Sequence, residues 1–249
     1  MDATSASSPV TEAPVRLRVS EWLRVAVLAA LAGAIAAAAF DLTVAESVVD
    51  RAVDAEGAAA TTAAPELFTR TEQRAGLALA ELVFGIGIAM VLAGAAVLIN
   101  PGRTARTVWL ALMACCAWAL VLLPAIKYPA LPPGVEATFE IAERQTLYLV
   151  LVLVGIGAAL AAAWVWERTE ERRTADRVAL AGLTAVVPAA VVMLVLPAQR
   201  VEGSPDADLV DDFRVVALAG QIIFWAVVTA VGLVLIARHR GERRSFQDG

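Results

Sequence analysis

The sequence predicts an all-α fold, a polytopic membrane helical bundle of about six transmembrane helices with both termini cytoplasmic. Three observations carry this. Of the 249 residues, 59% are hydrophobic and only 18% charged, against roughly 45–50% and a quarter in a soluble domain. The apolar residues fall in runs of about 19–24, enough to cross ~30 Å of hydrocarbon at ~1.5 Å per residue. The arginines concentrate in alternate connecting segments, the bias that orients membrane proteins. Helices are required because lipid leaves open backbone groups unsatisfied.

Residues 1–15 are rich in Ser, Thr, Ala and Pro and read as a disordered tail. The membrane domain follows over 16–240, then a basic tail over 241–249. The first span is about 22–40. Arg16, Arg18 and Arg24 with the small residues Ala36–Ala39 also fit a cleaved signal peptide; a retained span is expected, because five more spans follow and helices pair evenly. Those are about 76–99, 107–126, 145–166, 178–196 and 215–236. Gly85 and Gly87 let the second span approach a neighbour closely. Pro188 would kink the fifth or open its backbone bonds. Cys115 and Cys116 are adjacent and apolar in context, which suits packing rather than a disulfide.

With the N-terminus inside, thirteen of the twenty basic residues fall in inner segments and seven in outer ones. Trp22, Trp109, Trp164 and Trp166 then lie near the inner boundary, where indoles sit comfortably. Sixteen of the twenty-five acids fall on the outer side, from Asp41 to Asp212, counting Glu81 near the outer end of the second span. An acidic vestibule raises the local cation concentration; ordinary solvated loops would look the same.

The outer corner after the third span, Leu122–Gly134, holds the only lysine, Lys127, and Pro124, Pro129, Pro132 and Pro133. It is expected to be a rigid hairpin cap. Lys127 would pair with Glu136, Glu140 or Glu143, or snorkel to the interface. Pro124-Ala-Ile-Lys127 matches Pro197-Ala-Gln-Arg200 at an offset of 73, as Pro132 matches Pro205. Two related hairpins, spans three–four and five–six, are the expectation, as in transporters built from repeats.

Several activities are excluded. A phosphate-binding G-x-x-x-x-G-K-[ST] loop needs a lysine this chain does not place there. The one histidine, His239, sits in the basic inner end, so a histidine metal site or Ser-His-Asp site is not credible and no enzyme is expected. The candidate metal ligands are Glu46, Asp50, Asp54 and Glu81. The first three recur every four residues and share one face of a helix, which has Val44, Val48, Val49, Ala52 and Val53 on its apolar side. Such a helix would lie at the outer interface. Arg51 or Arg74 would relieve the repulsion between its carboxylates. Glu81 would lie inside the second span with Arg74 as partner; an ionisable group there marks a functional site by default. Gln221 and Trp225 share a face deep in the sixth span, at a depth like that of Trp118. Ala58–Ala64 reads as a linker.

With these residues on view, the chain resembles the predicted cobalt transporter subunit CbtA family. The resemblance rests on Glu46, Asp50-Arg51-Ala52 with Glu56, Gln73-Arg74-x-Gly76, Lys127-Tyr128-Pro129 with Pro132-Pro133, Arg144 with Tyr148, and Pro197, Pro205, Phe213-Arg214, Gln221 and Trp225. It covers about Leu23 to Arg240. It implies a polytopic subunit for cobalt uptake linked to cobalamin biosynthesis, acting with a small single-span CbtB-like partner that carries histidines. No cofactor is expected, and cobalt(II) or another divalent cation would be the substrate. Membrane lipid is an expected partner and nucleic acid is not. This chain has no outer histidine. Imidazole suits cobalt, and carboxylates alone favour harder ions, so either the partner supplies imidazole or the ion differs. A non-transporting scaffold that assembles a partner is the alternative from another class.

Overall fold

The computed structural model describes residues 17–59, 68–99, 102–135, 138–201 and 206–239, and the backbone of 240–247. The regular elements are helices: α1 (Val19–Phe40), a π-helical turn (Asp41–Ala45), α2 (Glu46–Ala59), α3 (Arg70–Ile99), α4 (Ala105–Cys116), a second π segment (Ala117–Leu122), α5 (Leu123–Lys127), α6 (Ile141–Arg168), α7 (Thr174–Val195) and α8 (Ala207–Gln247). Six stretches are long and apolar enough to cross a membrane: Val19–Gly57, Arg70–Ile99, Ala105–Lys127, Ile141–Arg168, Thr174–Val195 and Ala207–His239. The expected tail 1–15, Arg16, Glu136 and Pro205 lie outside the described residues, as do 60–64 of the expected linker.

Most helices outrun the apolar runs that announced them. The clearest case corrects an expectation. The first span does not stop at Phe40 and yield to a separate interfacial helix. It continues through the π turn into α2, and the stretch is 39 residues long. No Pro or Gly occurs between Phe40 and Glu56 to end it. The Thr43 and Ser47 hydroxyls bond back to the Ala39 and Val44 carbonyls, at 2.6 and 3.1 Å. Ala58 and Ala59 complete α2 rather than beginning a linker. Val48 and Ala52 bury against Leu209 at the start of α8, so the apolar side of α2 meets protein.

The main core joins α1, α3, α4 and α8. Its α1 face is mostly small: Ala26, Ala29, Ala30 and Ala34 are fully buried. Small residues let helices approach where no hydrophobic drive separates protein from lipid. A methyl on Gly85 would stand 3.1 Å from the Ala30 carbonyl oxygen, and one on Gly33 2.9 Å from that of Phe224. Trp22 and Trp109 stack with centroids 6.5 Å apart, and Trp109 Nε1 donates to the Thr229 carbonyl at 3.2 Å. Both indoles are fully buried, so they belong to the core and not to an interfacial belt. Trp164 and Trp166 do face outward, with Arg168 and Arg177 over their rings.

The second unit is α5, α6 and α7. α7 lies along α6 and makes no comparable packing with α8. The expected pairing of spans five and six as a copy of three and four is therefore not the arrangement found. The two proline corners also differ: Pro124 opens the short helix α5, whereas Pro197 follows the extended residue that ends α7. The similar residues reflect a shared local problem. A proline has no N–H, so the carbonyl four residues before it loses its helical donor. For Pro197 that carbonyl is Met193, and the Lys127 ammonium fills it at 2.6 Å. For Pro124, at the return from π to α geometry, it is Leu120, filled by the Tyr148 hydroxyl at 3.2 Å. Tyr128 donates to the Pro197 carbonyl at 3.0 Å. Burial pushes its phenol up, which keeps the proton on the donor.

Lys127 is thus a cap for α7, and no carboxylate pairs with it among the described residues. A cation also complements the negative end of a helix dipole. Replacing Lys127 by Met should strand the Met193 carbonyl and cost about 1–3 kcal/mol, read as a lower unfolding midpoint in detergent. Lys127→Arg should recover most of it. Equal midpoints for wild type and Lys127→Met would contradict the capping role.

A polar groove as candidate functional site

Three cavities run in series at the end of the bundle that carries the proline corner, and Ala217 of α8 lines all of them. The first, about 320 Å³, is the mouth between α2, α3 and α8. Its polar wall is an ion-pair box. Glu46 and Asp50 stand one turn apart on α2 and face Arg70 and Arg74, one turn apart on α3. Arg70 reaches Glu46 at 2.9 Å and Asp50 at 2.7 Å. Arg74 reaches Glu46 at 2.8 Å and Asp50 at 3.9 Å. Arg51 turns the other way, to Asp212 at 2.7 Å. Of the two arginines expected to separate the carboxylates, Arg74 does so and Arg51 does not. Arg70, not foreseen, takes the second place; its match lies in the four-residue spacing on both helices. Asp54 lies a turn beyond the box, exposed and without an ion pair among the described residues.

The second cavity, about 380 Å³, lies deeper and is lined by Asp41, Glu81, Gly220 and Gln221 among others. Glu81 does not pair with Arg74, which is held in the box. It faces Asp41 of the π turn, and the two carboxyl groups line the same cavity. Neither carboxylate has a hydrogen-bond or ion-pair partner among the described residues. Gly220 makes the arrangement possible, because a methyl there would stand 3.0 Å from Asp41 Oδ1. The sequence reading missed Asp41 by ending the first span one residue earlier. The four expected ligands therefore divide: Glu46 and Asp50 in the mouth, Asp54 outside it, Glu81 in the deeper cavity. Among the described residues no group of three or more His, Cys, Asp or Glu is disposed to hold a metal. The oxygen donors available at depth are Asp41, Glu81 and the amide of Gln221.

The third cavity, about 350 Å³, lies under the proline corner and carries Tyr128, Pro129, Arg144, Tyr148, Arg214 and Gln221. Gln221 lines this cavity and the carboxylate cavity alike. Arg144 donates to the Pro129 carbonyl at 3.3 Å. Trp225 is buried in the main core, edge-on to Phe224 at 5.1 Å between centroids, so it supports the groove without lining it. Farther along the corner, Gly134 takes φ +73°, and a methyl on it would meet Glu56 Cβ at 2.8 Å. The Pro132-Pro133-Gly134 turn thus rests on the end of α2.

Six long apolar helices, with a carboxylate-bearing groove at the ends of three of them, are the build of a multi-pass membrane protein. A family model described as probable cobalt transporter subunit (CbtA) matches residues 19–236, and the chain belongs to that family. The matched range takes in all three cavities. No curated protein and no solved structure matches the chain.

The box makes a direct prediction. Removing both guanidiniums, Arg70→Gln with Arg74→Gln, leaves Glu46 and Asp50 repelling each other. The unfolding midpoint in detergent should fall at low ionic strength and recover with added salt, which screens exposed charges. A salt-independent loss would mean that the arginines act by packing alone.

Proposed function

We propose that this chain is the membrane-spanning subunit that takes up a divalent metal cation, cobalt(II) in the first place, through the groove between α1, α3 and α8. The observation that carries the reading is the Asp41–Glu81 pair. Ionisable groups within membrane helices are costly and normally paired. Two carboxylates on one cavity without a counter-charge among the described residues have the charge that one divalent cation neutralises. The donors are oxygens, and few. Such a site holds an ion that keeps part of its water shell, strong enough for entry and weak enough for release.

Entry begins at the ion-pair box. An arriving cation competes with Arg70 and Arg74 for Glu46 and Asp50, then passes to Asp41 and Glu81 with Gln221 alongside. The arginine count supports an orientation with this end outside and both termini in the cytoplasm of a bacterial cell, in its inner membrane. A small single-span partner of the CbtB kind would supply imidazole for capture, and a link to cobalamin synthesis agrees with that cargo. Carboxylate-only donors also suit harder ions, so the ion is the point to test across several metals. The work is transport, not catalysis. The alternative, a scaffold for a partner, draws on α7, which packs along α6 through Ala189, Val192 and Met193 and leaves Val186, Val187, Val191 and Leu194 exposed to lipid or protein.

Initial uptake of labelled cobalt(II) into vesicles holding the chain with its partner should fall about tenfold or more for Asp41→Asn and for Glu81→Gln, the loss expected for one charge-assisted contact. Protein levels should be unchanged. Neutralising Glu46, Asp50 and Asp54 together should lower uptake by a smaller factor. No uptake with or without the partner, for any divalent ion tried, contradicts transport; a change only in partner abundance favours the scaffold.

A further inference from the structure

The cavity under the proline corner has a chemistry opposite to its neighbours. Its charged residues are Arg144 from the start of α6 and Arg214 from the start of α8, and no Asp or Glu lines it, although acids dominate the sequence segments at this end. Each guanidinium carries five N–H donors. Arg144 uses one nitrogen, Nη2 to the Pro129 carbonyl at 3.3 Å. Arg214 uses Nη1 to Asp211 Oδ1 at 3.2 Å, while its Nε is enclosed without an acceptor. The two tyrosines add no free donor, since Tyr128 and Tyr148 give their protons to the Pro197 and Leu120 carbonyls. The walls are therefore fixed and the surplus consists of guanidinium donors on two different helices. The amide of Gln221 adds a further donor on the same cavity.

We propose that this cavity binds a phosphate-bearing anion between Arg144 and Arg214. Planar guanidinium forks match a group with several anionic oxygens, and basic pockets between membrane helices are a known mode of headgroup binding. The rest of the lining is apolar, with Leu218 and Val121 on the wall and Leu218 itself exposed. That wall suits an acyl chain running from a phospholipid headgroup; a free phosphate would use the same two arginines. The inference depends neither on which cation is carried nor on transport itself.

Purified full-length chain in a neutral detergent tests it by unfolding midpoint. The probes are phosphatidylglycerol, diacylglycerol as its phosphate-free control, and inorganic phosphate. Phosphatidylglycerol should raise the midpoint saturably and diacylglycerol should not. The Arg144→Gln, Arg214→Gln double variant should need about tenfold more probe or more, while Arg200→Gln, an exposed arginine off the cavity, should respond as wild type. An arginine-dependent response to phosphatidylglycerol alone assigns a lipid headgroup; the same response to inorganic phosphate assigns a soluble source. No response to either probe, or an equal response in the double variant, overturns the proposal. If the double variant does not fold, each single variant should weaken the response several-fold, and an unchanged response in both overturns it equally.

Discussion

A backbone carbonyl that loses its donor where water is scarce must find another, and the corner end of this protein is organised by that requirement. Pro197 leaves Met193 open and Pro124 leaves Leu120 open. The replacements come from other helices: Lys127 reaches across to α7, and Tyr148 of α6 reaches back to the π segment. Each bond that repairs one helix therefore ties two together. Tyr128 adds a third tie, to Pro197 just beyond α7. The result is a unit of α5, α6 and α7 whose shape is set by side chain-to-backbone bonds and by small-residue contact. A methyl on Gly155 of α6 would stand 3.0 Å from Ala119 Cα. Arg144 takes its place beside the groove as a consequence.

The opposite side of the groove is held by close packing. Alanines of α1 and the glycines at 33 and 85 bring α3 and α8 against α1 within backbone reach. That proximity sets Asp41, Glu81 and Gln221 around one cavity. The π turn contributes by widening the helix at Asp41, and such turns often occur at functional positions. Gly220 leaves room for the carboxylate. The deep pair stays unpartnered because the nearest arginines, Arg70 and Arg74, are already engaged nearer the mouth. The carboxylates at the entrance are thus ion-paired, and among the described residues those of the deeper cavity are not.

The spans, the alternation of polarity and the proline corner were legible because each is written in local pattern. Lys127 and Gln221 stood out by the same means, as polar residues out of place in apolar surroundings, whereas Tyr128 and Arg144 were marked by the family resemblance. What was not legible lies between helices. Asp41 looked like the first residue of a loop, since hydropathy marks where lipid ends and not where a helix ends. Arg70 looked like an ordinary loop arginine until α3 placed it one turn from Arg74. Trp22 and Trp109 sit at the depth expected of interfacial indoles, yet they stack inside, and only packing direction separates the two cases. The match between the corners at Pro124 and Pro197 was real in sequence and misleading as a repeat, because two prolines solved the same backbone problem in helices with different neighbours.

The central claim is that this chain's own carboxylates hold the travelling metal. X-ray absorption on cobalt(II) bound to the purified chain, without its partner, tests that most directly. The account predicts a first shell of oxygen alone, and a metal signal lost from the washed protein when Asp41 and Glu81 are both neutralised. A shell containing nitrogen or sulfur, or the same bound signal in the double variant, would contradict it.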